Sequence, residues 1–184
     1  ETTGLPKDWK APLTDSKNWP RLVQIAWLQH DSAGKLFSKK EYIIKPKGFT
    51  IPLEATKVHG ISHEKALREG IPLTKVLREL SKVLHSSQVL VAHKLDFDRN
   101  IIGAEFLRMA MTNNLFSIPS VCTMKATTDF CKIPHFSGYK WPKLAELYAT
   151  LFGTSFEEAH QAMGDATACS KCFFELKKRG GIRL

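Results

Sequence analysis

The ten residues Arg21-Leu-Val-Gln-Ile-Ala-Trp-Leu-Gln-His30 constrain this chain more than any other segment. Val23, Ile25 and Trp27 alternate with Leu22, Gln24, Ala26 and Leu28, so an extended chain here carries apolar groups on both faces. Such a strand needs cover on both sides, which a sheet flanked by helices provides. Asp31-Ser-Ala-Gly34 then reads as a turn, and residues 36–44 as the returning strand of an antiparallel hairpin that ends at Lys45-Pro46-Lys47-Gly48. Beyond it the period changes. Ser62 and Thr74 are candidate helix caps, and Val76, Leu77, Leu80, Val83 and Leu84 recur at threes and fours. Residues 89–92 fit a short buried strand. Phe97, Ile101, Ile102, Phe106 and Met109 mark a helix over 97–112, residues 117–124 a further strand, and 141–152 and 162–178 two more helices. Residues 1–20, with Pro6, Pro12 and Pro20, read as loop. A hairpin followed by helices alternating with short strands predicts one α/β domain over 1–184, a mixed sheet with helices on its faces.

Composition narrows the function. With 184 residues, 43% of them hydrophobic, the chain can bury a core without staples. No apolar run approaches the ~20 residues of a membrane-spanning helix, so no membrane role is expected. The four cysteines, Cys122, Cys131, Cys169 and Cys172, are too sparse for a disulfide framework. Cys169 and Cys172 form a CxxC on successive turns of the last helix, poorly placed for a redox pair or a zinc half-site. Reduced thiols point to an intracellular, cytoplasmic protein. The 27 Lys and Arg against 18 Asp and Glu give a net charge of +9, which points to an anionic partner, nucleic acid first.

Acidic residues at element ends are the place to look for chemistry. Glu1 opens a Thr-Thr-Gly turn, Asp98 follows a buried strand within His93-Lys-Leu-Asp-Phe-Asp98, and Asp165 lies five residues after His160. Three converging carboxylates make a hard oxygen site suited to Mg²⁺ or Mn²⁺. Five residues of regular helix turn through about 500°, which leaves His160 and Asp165 some 140° apart. They face one centre only if His160 lies on the entering loop and Asp165 within the first turns. A titratable imidazole beside a metal-binding carboxylate suits a hydrolytic base. Taken alone, the spacing equally fits an exposed histidine ahead of a helix.

The blocks do not stand alone. Glu1-Thr-Thr-Gly-Leu-Pro resembles the end of an Asp-x-Glu-Thr-Thr-Gly motif, and His59-Gly-Ile-Ser62 a His-Gly-Ile-Thr/Ser segment. His93-Lys-Leu-Asp-Phe-Asp98 resembles His-Asn-x-x-Phe-Asp, and His160-Gln-Ala-Met-Gly-Asp165-Ala a His-x-Ala-x-x-Asp-Ala motif. In this order, and across nearly the whole chain, they resemble the DEDDh branch of the DnaQ-like 3′–5′ exonucleases, the family of the proofreading epsilon subunit of bacterial DNA polymerase III.

The resemblance implies a ribonuclease H-like fold and phosphodiester hydrolysis with two divalent cations, Mg²⁺ or Mn²⁺. It implies that Glu1, Asp98 and Asp165 hold the metals and that His160 takes the proton from the attacking water, with activity falling below about pH 6. Thr2 and Thr3 are expected to hold the terminal 3′-OH, and His59 and Phe97 to contact the terminal bases, although Phe97 equally fits a core helix residue. Asp96 is expected to pair with a basic neighbour, and His63 and His135 to be structural. Two departures stand out. Lys94 occupies the place of the usual Asn, and the family's first acidic residue and first strand fall upstream of Glu1, so the molecule is expected to extend in that direction. Expected substrates are single-stranded nucleic acid or 3′ ends of DNA or RNA. The alternatives are a catalytically impaired nucleic-acid-binding relative, or a proofreading module beside a DNA polymerase, for which no partner-gripping tail follows the last helix.

Overall fold

The structure, a computed structural model, describes residues 1–156 and 161–182. The two-faced apolar run becomes β1 (Gln24–His30), and β2 (Leu36–Ile43) returns antiparallel to it with Gln24 opposite Ile43. Asp31 shapes the turn: its Oδ1 accepts from the backbone N–H groups of Ala33 and Lys35 at 3.0 and 2.9 Å. Gly34 takes φ +88° there, and a Cβ would meet the Phe174 ring at 3.0 Å, so conformation and space both demand glycine. Ahead of β1, Thr3 N donates to Arg21 O at 2.9 Å and Val23 N to Glu1 O at 2.8 Å, which sets Thr2 opposite Leu22.

Three helices follow: α1 (Leu53–His59), α2 (His63–Glu69) and α3 (Leu73–Ser86). Ser62 caps α2, its Oγ accepting from Lys65 N at 3.1 Å. Thr74 caps nothing, because the chain enters α3 from Pro72 and Thr74 already lies in the first turn. The buried face of α3 is Leu73, Val76, Leu77, Leu80 and Leu84, packed against Trp19, Leu22, Ile25 and Ile44 beneath the hairpin. Each such buried side chain contributes about 1.5–3 kcal/mol.

β3 (Leu90–Ala92) leads through α4 (Leu95–Arg108) to β4 (Ser120–Cys122), which pairs parallel to β3 with Val91 opposite Val121. The helix stops at Arg108 rather than at residue 112 because Ala110 turns to φ 50°. Two single-turn helices, α5 (Thr123–Ala126) and α6 (Thr128–Cys131), precede a short hairpin of β5 (Pro134–His135) and β6 (Gly138–Tyr139). α7 (Leu144–Phe152) and α8 (Ala162–Lys178) share a second core of Leu147, Leu151, Cys172, Phe173, Leu176 and Ile182.

The result is a mixed α/β fold whose strands pair two by two, β1–β2, β3–β4 and β5–β6. α8 packs on both β1 and β3 and so ties the two larger pairs together. Cys169 and Cys172 are buried on successive turns of α8, and all four cysteines are free thiols. Among the described residues, no helix is long and apolar enough to cross a membrane.

Candidate active site

Two helices present an acid at the same position. Asp98 is the fourth residue of α4 and Asp165 the fourth of α8. Both therefore sit where unpaired N–H groups give a helix its positive end. The start of α8 is held from a distance: Met163 N donates to Glu41 Oε1 at 3.2 Å, and that oxygen also accepts from Gln24 Nε2 at 2.9 Å. Asp165 thus lies within the first turns, as its spacing requires. His160 lies outside the described residues.

Asp98 is where the three acids meet electrostatically. Surrounding protein pushes its pKa up to about 7; Lys94 pulls it down, and the Asp165 and Glu1 carboxylates push it up. Yet Asp98 keeps an open face to solvent. Both observations fit a carboxylate backed by protein and reached by water from one side. The open face tempers the desolvation, so the upward direction carries the meaning. Among the described residues no three His, Cys, Asp or Glu donors close to metal-binding spacing. Like charges hold one another apart, while an anionic, all-oxygen donor set is the kind that hard divalent cations take.

Around the acids stand the expected substrate contacts. The pairing of Thr3 with Arg21 and of Val23 with Glu1 turns Thr2's own N–H and C=O toward the opposite edge. That is the side of His59. His59 is buried at the end of α1, its Nδ1 accepting from Ile61 N at 3.1 Å and its Nε2 facing the Thr2 backbone without a well-formed hydrogen bond among the described residues. Burial lowers its pKa, and the Glu1 carboxylate works against that. The Thr2 hydroxyl donates to Gly4 O at 2.6 Å, and Thr3 Oγ1 accepts from Arg21 N at 2.9 Å.

His93 braces the turn between β3 and α4, the helix that carries Asp98. Its Nε2 lies 3.0 Å from Pro142 O and its Nδ1 3.0 Å from Thr123 Oγ1. A carbonyl only accepts, so Nε2 carries the proton and Nδ1 receives the Thr123 hydroxyl. Burial lowers the His93 pKa, which keeps the ring neutral.

Phe97 is half-buried, with one part against the main core and one against Trp9, the ring centroids 5.7 Å apart. Lys94 Nζ lies 4.5 Å from the Trp9 centroid and 5.5 Å from that of Phe97. Trp9 is held out on a fixed loop: Asp8 N donates to Asn18 Oδ1 at 2.7 Å, and Asn18 Nδ2 donates back to Asp8 O at 2.8 Å. Asp96 pairs with Lys125 on the surface, as expected of it. His63 meets Ile51 N, a structural contact. The sequence reading missed Trp9 and Glu41. A tryptophan with no apolar period to serve was the available signal for the first; nothing local marks Glu41, whose bonded helix start is 122 residues away.

The fold is a mixed α/β one, with acids at two helix starts and at the pairing ahead of β1. The profile of the RNase_T exonuclease family matches residues 1–173, and the chain belongs to that family. It is 30% identical over 186 residues to "Uncharacterized exonuclease CP81" of Escherichia phage 186, covering 98% of this chain and 86% of that protein. The fold is similar to the zinc-ion-bound form of the E. coli exonuclease I–ssDNA complex, with TM-score 0.73 and 17% identity over 97% of this chain. This chain spans only 39% of that one. Exonuclease X in complex with 5′ overhanging duplex DNA superposes with TM-score 0.65 and 19% identity, covering 100% of this chain and 90% of that one.

Proposed function

We propose that the protein is a divalent-metal-dependent 3′–5′ exonuclease, one domain over residues 1–184, that releases nucleoside 5′-monophosphates from the 3′ ends of DNA or RNA. The observation that carries this reading is the electrostatic meeting of Asp98 with Asp165 and Glu1, from three distant parts of the chain. These three carboxylates would hold Mg²⁺ or Mn²⁺. When bound, such ions supply Lewis-acid stabilisation of the charge that develops on the phosphate oxygens.

The chain's own residues do the rest. His160 accepts the proton of the attacking water, a task for an imidazole that is neutral above its ordinary pKa of about 6.5. Thr2, with its peptide groups turned away from β1, and Thr3 hold the terminal 3′-OH. His59, buried beside Thr2 and Glu1, borders the same space. Phe97, backed by Trp9, offers an aromatic face on which a terminal base stacks irrespective of its identity.

The test is release of mononucleotide from 5′-labelled single-stranded DNA and RNA with Mg²⁺, Mn²⁺ or EDTA, comparing the protein with its His160→Ala variant. The expected result is a metal-dependent ladder shortening from the 3′ end that the variant loses. Strand binding without release under either metal would instead identify an inactive relative.

A further inference from the structure

The β5–β6 hairpin is unexplained by the fold. Its strands have two residues each, closed below by Lys140 N donating to Ile133 O at 3.0 Å. A hairpin that short gains little stability of its own. Yet it carries large aromatic rings into solvent: Phe136 is 95% exposed, Trp141 60% and Tyr139 47%. None belongs to a core cluster of the described residues, and the His135 and Phe136 rings pack on each other, their centroids 4.2 Å apart. Residues 132–143 contain three lysines, Lys132, Lys140 and Lys143, and no acidic residue. Lys140 is engaged by Glu146, which leaves Lys132 and Lys143 as exposed charges.

The hairpin's root is fixed to the candidate site. Pro142, directly after Trp141, is buried, and its carbonyl accepts from His93 Nε2 at 3.0 Å. His93 directly follows β3, five residues before Asp98. Rings interleaved with exposed cations, on an arm rooted beside a nuclease's acids, suit one occupant. Base faces stack on aromatics of any sequence context while lysines meet the phosphates. A protein partner would be expected to present acidic side chains to the same lysines, but the +9 charge of the whole chain favours a polyanion.

Resting on the exonuclease reading, we infer that the Phe136–Tyr139–Trp141 hairpin is a second contact for the nucleic-acid strand, holding nucleotides beyond those at the acids. Its contribution depends on strand length, because a short oligonucleotide that fills the acidic site does not reach it.

The experiment is fluorescence anisotropy of labelled single strands of increasing length in EDTA, which suspends hydrolysis. The wild type is compared with Phe136→Ala/Trp141→Ala, with the conservative Phe136→Tyr/Trp141→Tyr, and with Lys132→Gln/Lys143→Gln. Long strands are expected to bind the alanine variant at least about tenfold more weakly. The ratio to wild type should widen with strand length, and the tyrosine variant should restore binding. The glutamine variant should lower the salt slope by about 0.7 for each lysine. No loss, or a loss independent of length, overturns the inference. If the length-dependent loss appears while the wild type releases no mononucleotide with Mg²⁺ or Mn²⁺, the hairpin contact stands and the nuclease reading falls.

Discussion

Lys94 holds its ammonium 4.5 Å from the centroid of the Trp9 ring while its own backbone sits in the left-handed region at φ 65°. The first relationship binds charge to the aromatic shelf beside Asp98; the second is a cost. A non-glycine residue in that region is strained by roughly 1–2 kcal/mol, and asparagine tolerates it better. Asparagine is also what the resembled motif carries there. Lys94→Asn is therefore expected to raise thermal stability by about 0.5 kcal/mol. It should also weaken single-strand binding and reduce the salt slope by about 0.7. Thermal unfolding and a salt titration read both; a variant that is less stable would contradict the strain argument.

Glu105 is fully buried and accepts from Arg21 Nε at 2.9 Å and from Leu22 N at 3.0 Å, with Arg108 3.2 Å away. Arg108 in turn donates to Ser16 O and Trp19 O, so one carboxylate anchors the loop that leads into β1. Glu105→Ala would leave guanidinium groups without their counter-charge, and a loss of about 3–5 kcal/mol is expected in urea unfolding. Glu105→Gln, which keeps the acceptor oxygen, should lose less. Equal losses would mean that the retained acceptor oxygen contributes nothing and that the charge carries the whole effect.

His30, His59 and His93 all have pKa values lowered by burial. A histidine lowered on folding contributes stability above its unfolded pKa of about 6.5, and that stability is lost as pH falls through the folded value. The melting temperature should therefore fall as pH drops below about 6.5. His93→Gln should flatten that fall, since a glutamine can still bridge Thr123 and Pro142 without taking up a proton. A melting profile with the same slope in both proteins would remove His93 from the account.

Local pattern carried much of this structure. The alternation in residues 21–30 and the threes and fours of α3 come from burial on one element, so they are visible in a window of a few turns. The end of α4 was misjudged because Met109 continues the apolar period while the backbone of Ala110 breaks it, and periodicity does not register φ. α1 was passed over: only Ala55 and His59 are buried in it, too few to make a stripe. The acids of the candidate site were legible only through the motif blocks, since nothing local to Glu1, Asp98 or Asp165 announces the other two. Glu41 and Asn18 were not legible at all. Their partners, Met163 and Asp8, are chosen by tertiary folding.

The most direct test of the account is Mn²⁺ binding to the intact protein by titration calorimetry, with Asp98→Asn and Asp165→Asn alongside. If Glu1, Asp98 and Asp165 form one metal site, either substitution should abolish or severely weaken binding while leaving the fold intact by circular dichroism. Because the protein around it raises the Asp98 pKa, Mn²⁺ competes with a proton there, so wild-type affinity should fall as the pH is lowered. Mn²⁺ binding that survives both substitutions and ignores pH would place the metal elsewhere and contradict the account.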